Sequence, residues 1–220
     1  MSNQDQQLIN FQFDKSYKTE DFFVSKCNFF AYSLLNSWPK WEKNILNIHG
    51  EKYCGKSHLS EVFIKKNKGI ILDAKKFEFN NETSLRYFQN IILENLIDDV
   101  DESIIFSLIN FVDQNAKYLI INSSIPFSKM KFKLKDLISR SKNCLDAKIE
   151  KPDDELIKVL ISKYLSDKQI KISKKLVEFA AKRITRSYGK IFEFIYKIDE
   201  ISLKKKKSID QKTIKEALAV

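Results

Sequence analysis

The stretch Asn47–His58, "NIHGEKYCGKSH", decides how the rest of the chain is read. It matches the phosphate-loop pattern G-x-x-x-x-G-K-[ST] through Gly50, Gly55, Lys56 and Ser57. Such a loop needs a strand, a tight turn of backbone N–H groups, and a helix whose N-terminus faces the phosphates. All three occur in order. "NILNIHG", Asn44–Gly50, is a strand-like run ending on glycine, and "KSHLSEVFIKK" continues with helical spacing. Lys56 is placed to reach the β- and γ-phosphates, and the Ser57 hydroxyl to help hold Mg²⁺. Gly50, Gly55 and His58 complete the nucleotide-binding set. Two of the chain's four glycines stand here, yet Tyr53 holds a position where many such loops carry another glycine. A tyrosine there must point its ring outward.

Working outward, "CNFFAYSLLNSW" (Cys27–Trp38) has apolar residues at helical spacing. "GIILDA" (Gly69–Ala74), "NIILEN" (Asn90–Asn95) and "KYLIINSS" (Lys117–Ser124) read as three further buried strands, and "ESIIFSLINFVDQ" as a helix between the last two. Alternating strands and helices predict an α/β fold with a mainly parallel sheet over residues 21–150. At "EKPDDE" (Glu150–Glu155) the pattern changes, because Pro152 followed by acidic residues starts a helix. Only helical patterns follow, with Ser173 and Asp210 as N-caps, so residues 151–220 are expected to form a small all-helical lid. Residues 1–20 read as a polar tail with a few aromatics.

A phosphate loop works with an acidic residue at the end of a buried strand, which holds Mg²⁺ and positions water. Two registers compete. One ends the strand at Glu94 and Asn95; the other ends it at Leu96-Ile97 and offers Asp98 and Asp99. The first is favoured, because the second buries Glu94 and Asn95 mid-strand, at several kcal/mol if unpaired. Glu94 is then the magnesium ligand beside Ser57, with Asp98 the alternative, and Asn95 stands at the catalytic position. An amide is no general base, so intrinsic hydrolysis is expected to be weak or absent.

Composition narrows the class. A hydrophobic fraction of 43% supports a core, and no apolar run approaches the ~20 residues of a membrane span. No signal peptide is visible. Three scattered cysteines (Cys27, Cys54, Cys144) suggest a reduced, cytoplasmic chain without a disulfide framework or zinc site, and Cys54 reads as a small filler. The net charge of +10 is mostly lysine, arginine standing only at 86, 140, 183 and 186. It reads as compositional bias, with Lys204–Lys207 a solvated loop and DNA contacted only indirectly or nonspecifically.

The chain resembles the AAA+ proteins related to the bacterial replication initiator DnaA, and within them the short DnaA-homologue Hda group in its alphaproteobacterial form. The resemblance spans residues 6–219. It rests on "EDFFVSKCNFFAYSLLNSWP", "HGEKYCGKSHL", "IILEN", "YLIINSSIP", "LKDLISR" and "PDDELIKVLISKYLSDKQIKIS…RITRSYGKI" in that order. It implies that Val24 and its neighbours contact adenine, and that the polar sensor of the family falls at Asn122–Ser124, with Ser124 the nearest match. It implies that Arg140 is an arginine finger acting in trans on a neighbour's nucleotide. Arg186 or Lys190 would fall near the lid's arginine sensor. "QQLINF", with Gln6, Gln7, Leu8, Ile9 and Phe11, is similar to the peptides by which such proteins dock on the DNA polymerase sliding clamp.

The expectation that follows is a regulatory protein that binds ADP or ATP, docks on the clamp, and stimulates hydrolysis of DnaA-bound ATP, so limiting initiation. A second copy of the chain is a further candidate partner. The alternative is an active ATPase that loads or remodels a replication factor; a nucleotide-free adaptor is a third reading. The chain stops at Val220, after the last lid helix, so a helix-turn-helix domain and sequence-specific origin binding are not expected.

Overall fold

The computed structural model describes residues 22–79, 82–205 and 209–218. Its elements are α1 (Phe29–Asn36), β1 (Ile45–His49), α2 (Lys56–Asn67), β2 (Ile70–Asp73), α3 (Glu82–Leu85), β3 (Asn90–Leu96), α4 (Glu102–Gln114) and β4 (Tyr118–Ser123). A 3₁₀ turn (Phe127–Lys129), α5 (Lys135–Lys142), β5 (Leu145–Lys148) and the lid helices α6 (Asp154–Asp167), α7 (Lys174–Ala181), α8 (Tyr188–Lys205) and α9 (Gln211–Leu218) follow. The strands form one sheet, ordered β2-β3-β4-β1-β5, with every pairing parallel.

The expected α/β fold with a parallel sheet and a helical C-terminal part is present, with one more strand than the apolar runs predict. β5, "LDAK", is short and alternates charged exposed residues with a buried Ala147. Only one of its four residues is buried, so it lacks the apolar run that marks β3 and β4. Those two are covered on both faces: Ile91, Ile92, Leu93, Leu119, Ile120 and Ile121 are fully buried. Burying each such side chain contributes about 1.5–3 kcal/mol. One face of the sheet packs on α4 and α5 (Ile105, Leu108, Leu137), the other on α1 and α2 (Leu35, Leu59, Phe63). The lid helices enclose a third cluster around Ile157, Ile161, Ile191 and Ile198.

The helix-start signals act as expected. Asp153 accepts the N–H of Leu156 at 2.8 Å to cap α6, Ser173 accepts that of Leu176 at 3.4 Å, and Asp210 that of Thr213 at 2.7 Å. Lys204 and Lys205 differ from the reading of the lysine run as a loop, and Lys206 and Lys207 lie outside the described residues. α8 continues to Lys205, and Lys204 pairs along the helix with Glu200 at 2.6 Å.

Asn47, fully buried in β1, sets the sheet's carboxyl edge. Its amide donates to Ile121 O and to Ser123 Oγ, each at 2.9 Å, and its carbonyl accepts the N–H of Phe127 at 2.8 Å. A buried amide with all these partners locks the end of β4 against β1.

Candidate functional site

The loop after β1 has the geometry its sequence requires. Gly55 adopts φ 101°, a left-handed conformation, and a Cβ there would stand 3.2 Å from the Phe22 ring. A Cβ on Gly50 would stand 2.8 Å from Ile149 O and 3.0 Å from Cys54 Sγ. Both positions are closed to side chains. α2 starts at Lys56 behind Gly55, which offers no capping side chain, so the positive end of the helix faces the loop. Lys56 Nζ rests on the loop, donating to Gly50 O at 2.8 Å and Glu51 O at 3.0 Å. Tyr53 takes φ 70° and is half exposed, its ring 5.3 Å from Phe192 of α8. The outward ring is thus a contact between loop and lid. Cys54 is buried, and burial raises its thiol above the ordinary range despite the opposing pull of Lys56. That suits a packed filler, not a reactive thiolate.

The acidic partner is fixed by an irregularity in β3. Leu93 pairs with Ile121 and Leu96 with Ser123, so β3 carries one extra residue between those pairings. This bulge sits at Glu94-Asn95, where Asn95 has φ 60°. It sends the two side chains to different places. Glu94 turns to α2 and is buried, accepting the Ser57 hydroxyl at 3.0 Å and the Asn122 amide at 2.6 Å. Asn122 also donates to Ser60 Oγ at 2.6 Å. Asn95 is exposed and donates to Asp73 Oδ2 at 2.9 Å. The backbone N–H of Lys75 and this amide hold the Asp73 carboxyl below the usual carboxylate range. Asp98 lies in an exposed turn beyond the strand. Glu94 is therefore buried within β3, the arrangement expected to be costly, and the cost is offset because both carboxylate oxygens are hydrogen-bonded.

The Asn122 amide, not Ser124, meets the acidic group; Ser124 is exposed past the end of β4. His58 packs edge-on to Phe22 at 5.3 Å, two residues before the half-buried Val24. The entry segment therefore lies over the start of α2, and Phe22, unmarked by any motif, makes the contact. Asn47, Glu51, Ser60 and Phe22 are the site residues that spacing alone did not single out.

On the lid side the sequence-predicted cations are turned away. Arg186 pairs with Asp154 at 2.9 Å in the open, and Lys190 pairs with Glu193 at 2.7 Å, beside a cleft against α9. What reaches the loop is the start of α8. Glu51 accepts the Ser187 hydroxyl, and the N–H of Tyr188 at 3.4 Å. The α8 residue facing this carboxylate is Gly189, where a Cβ would stand 3.8 Å from Glu51 Oε1. Arg140 lies elsewhere. It pairs with Asp113, which also accepts the Asn44 amide at 2.7 Å, and its guanidinium is 5.8 Å from the Phe106 ring centre. Asn44 directly precedes β1, while Asp113 and Arg140 lie near the ends of the helices that lead into β4 and β5. In a parallel sheet that is the edge opposite the phosphate loop. Gln6–Phe11 lies outside the described residues.

The donor set suits a nucleotide with a hard cation. Ser57 and Glu94 offer oxygen ligands side by side, as Mg²⁺ requires when phosphate oxygens and water complete its shell. Among the described residues no cluster of three or more His, Cys, Asp or Glu could hold a metal alone. None of the described helices is long and apolar enough to cross a membrane.

No family model matches the chain. Solved structures do. Domain III of the Thermotoga maritima replication initiation protein DnaA superposes with a TM-score of 0.74 at 19% identity, covering 94% of this chain and 97% of that one. AMPPCP-bound DnaA from Aquifex aeolicus gives 0.65 at 18% identity over 88% of this chain and 70% of that one. A variant of Thermotoga maritima RuvB gives 0.67 at 11% identity over 86% and 66%. At such identities the likeness is one of fold: a DnaA-like AAA+ architecture.

Proposed function

We propose that this chain is a regulatory AAA+ protein of replication initiation, of the Hda type. It binds adenine nucleotide, ADP or ATP with Mg²⁺, as a structural ligand and assembly switch. It docks on the sliding clamp through Gln6–Phe11 and presents Arg140 to the ATP site of DnaA. The observation that carries this reading is the opposite fate of two adjacent residues. Glu94 is built into the Ser57–Asn122 network, whereas Asn95 points out to Asp73. The first supports gripping a magnesium nucleotide; the second leaves no carboxylate of its own to activate water. When bound, Mg²⁺ would neutralise phosphate charge between Ser57 and Glu94, while Lys56 and the α2 amides hold the phosphates. Arg140 sits at the far edge of the sheet from its own loop, which suits action on a neighbour. The protein is cytoplasmic, and DNA is reached mainly through the clamp.

The deciding experiment measures hydrolysis of DnaA-bound ATP with clamp on DNA, with this protein or its Arg140→Ala variant. Stimulation by the first and loss of at least tenfold in the second is expected. Equal rates would sink the proposal. Turnover of ATP by the protein alone, abolished by Lys56→Ala, would instead favour an active loader.

A further inference from the structure

Arg140 is one of four arginines in a chain that otherwise relies on lysine. It lies in the last turn of α5 and meets two side chains of α4. Asp113 accepts from its Nη1, and the guanidinium carbon is 5.8 Å from the ring centre of the half-buried Phe106. Phe106 and Asp113 stand seven residues apart in α4, so they share one face of that helix. The carboxylate is itself braced. Its other oxygen accepts the Asn44 amide at 2.7 Å, and Asn44 O accepts the N–H of Leu119 in β4 at 2.9 Å. Asp113 is the last residue but one of α4, where the helix dipole disfavours an anion unless a cation offsets it. Arg140 supplies that cation. The two side chains are 38% and 35% exposed, so the guanidinium remains within reach from outside. Of its three nitrogens, only Nη1 has a hydrogen-bond acceptor among the described residues.

We propose that Asp113, braced by Asn44, is a positioning residue for Arg140. It holds the guanidinium by Nη1 at the sheet edge and leaves Nε and Nη2 to meet the phosphate oxygens of a neighbour's nucleotide. This rests on the reading that Arg140 acts in trans. An arginine without a partner gives up rotamer freedom when it docks. Holding it beforehand removes that loss from the reacting step, and a planar fork held by one nitrogen presents the others in a set direction. A lysine ammonium, as a point charge, could not be aimed in this way. Charge works in the opposite sense, because a carboxylate beside the guanidinium weakens its pull on phosphate. In a pair this open to solvent that attraction is screened, so the orientation gained outweighs the charge lost.

The test follows hydrolysis of DnaA-bound ATP, with clamp on DNA, against the concentration of this protein. Asp113→Asn keeps the shape of the side chain and removes its charge. It should lower the saturating rate about tenfold and leave the half-saturating concentration within about twofold. Asp113→Glu should restore most of the lost rate, and Asn44→Ala should cost about threefold. In an Arg140→Ala background, Asp113→Asn should change nothing further. A merely structural role would slow that variant too, or shift the half-saturating concentration. In the chain alone, the NMR order parameter of Arg140 Nε should fall in Asp113→Asn. Thermal unfolding checks that each variant is folded. If the parent stimulates hydrolysis and Asp113→Asn does so equally or faster, the positioning role is overturned while the reading of Arg140 stands. An unchanged order parameter overturns that role as well. No stimulation by the parent would overturn the reading of Arg140 itself, and the role of Asp113 with it.

Discussion

On the sheet side of the phosphate loop, a continuous hydrogen-bonded chain runs from the exposed Ser57 through Glu94 and Asn122 to Ser60, the last three buried. On the lid side, Arg186 and Lys190 face Asp154 and Glu193 on the surface, and the loop meets the start of α8 through Glu51 and Tyr53. The two walls differ in what they can do to a phosphate. The sheet wall offers ligands for a cation held by phosphates. The lid wall offers an anion and an aromatic ring, neither of which stabilises charge developing on a leaving phosphate. Under the proposed function, such a site is built to grip a nucleotide better than to cut one, and its lid touches the loop through Glu51 and Tyr53.

The sharpest way to break this contrast is to weaken the sheet side. Lys56→Ala should lower ADP affinity about 100-fold by titration calorimetry, since a charge-assisted contact to phosphate is worth about 1.5–3 kcal/mol. Retained affinity would mean the loop does not bind phosphate. Next comes Glu94→Gln, which sets an amide N–H₂ against the Ser57 or Asn122 donors. Urea unfolding should show a loss of about 1–3 kcal/mol, and Mg²⁺ should no longer strengthen ADP binding.

On the lid side the effects should be smaller. Glu51→Ala removes the only side-chain acceptor seen at the head of α8 among the described residues. It should cost about 0.5–2 kcal/mol and speed hydrogen exchange in the first turn of that helix. Lys190→Ala should leave ADP affinity within about twofold, because its partner is a surface glutamate. A larger loss would show the lysine swinging onto the nucleotide.

The smallest effect concerns the outward half of the bulge. Asp73 is held below its ordinary value of 3.8 by the Lys75 N–H and the Asn95 amide. Its stabilising contribution is complete above that ordinary value and fades as pH falls through the folded value. Asn95→Ala should move the Asp73 midpoint upward in an NMR titration, yet leave it below 3.8 because the Lys75 contact remains. An unchanged midpoint would mean that Asn95 does not hold Asp73 in solution.

The sequence placed four of the five strands, the starts of α6, α7 and α9 and the phosphate loop, because each is a local pattern: a buried apolar run, a capping side chain, a glycine spacing. It also favoured Glu94 over Asp98 as the residue near Ser57. It missed β5, where only Ala147 of four residues is buried and no apolar run forms, and the continuation of α8 through Lys204. It chose Ser124 where the contact to Glu94 comes from Asn122. Alternation along β4 does not say which polar residue has a partner across the sheet.

Gly50, Gly55, Lys56 and Ser57 settled in advance that a turn of backbone amides would head a helix, since local sterics and helix polarity need no distant partner. Where the side chains around that turn would point was undecidable from the string. The answer depended on one inserted residue in β3, which rotated Glu94 inward and Asn95 outward, and on the phase of α8, which set Gly189 rather than Lys190 against the loop. Bulge position and helix phase are fixed by packing between remote segments, so only the folded chain could reveal them.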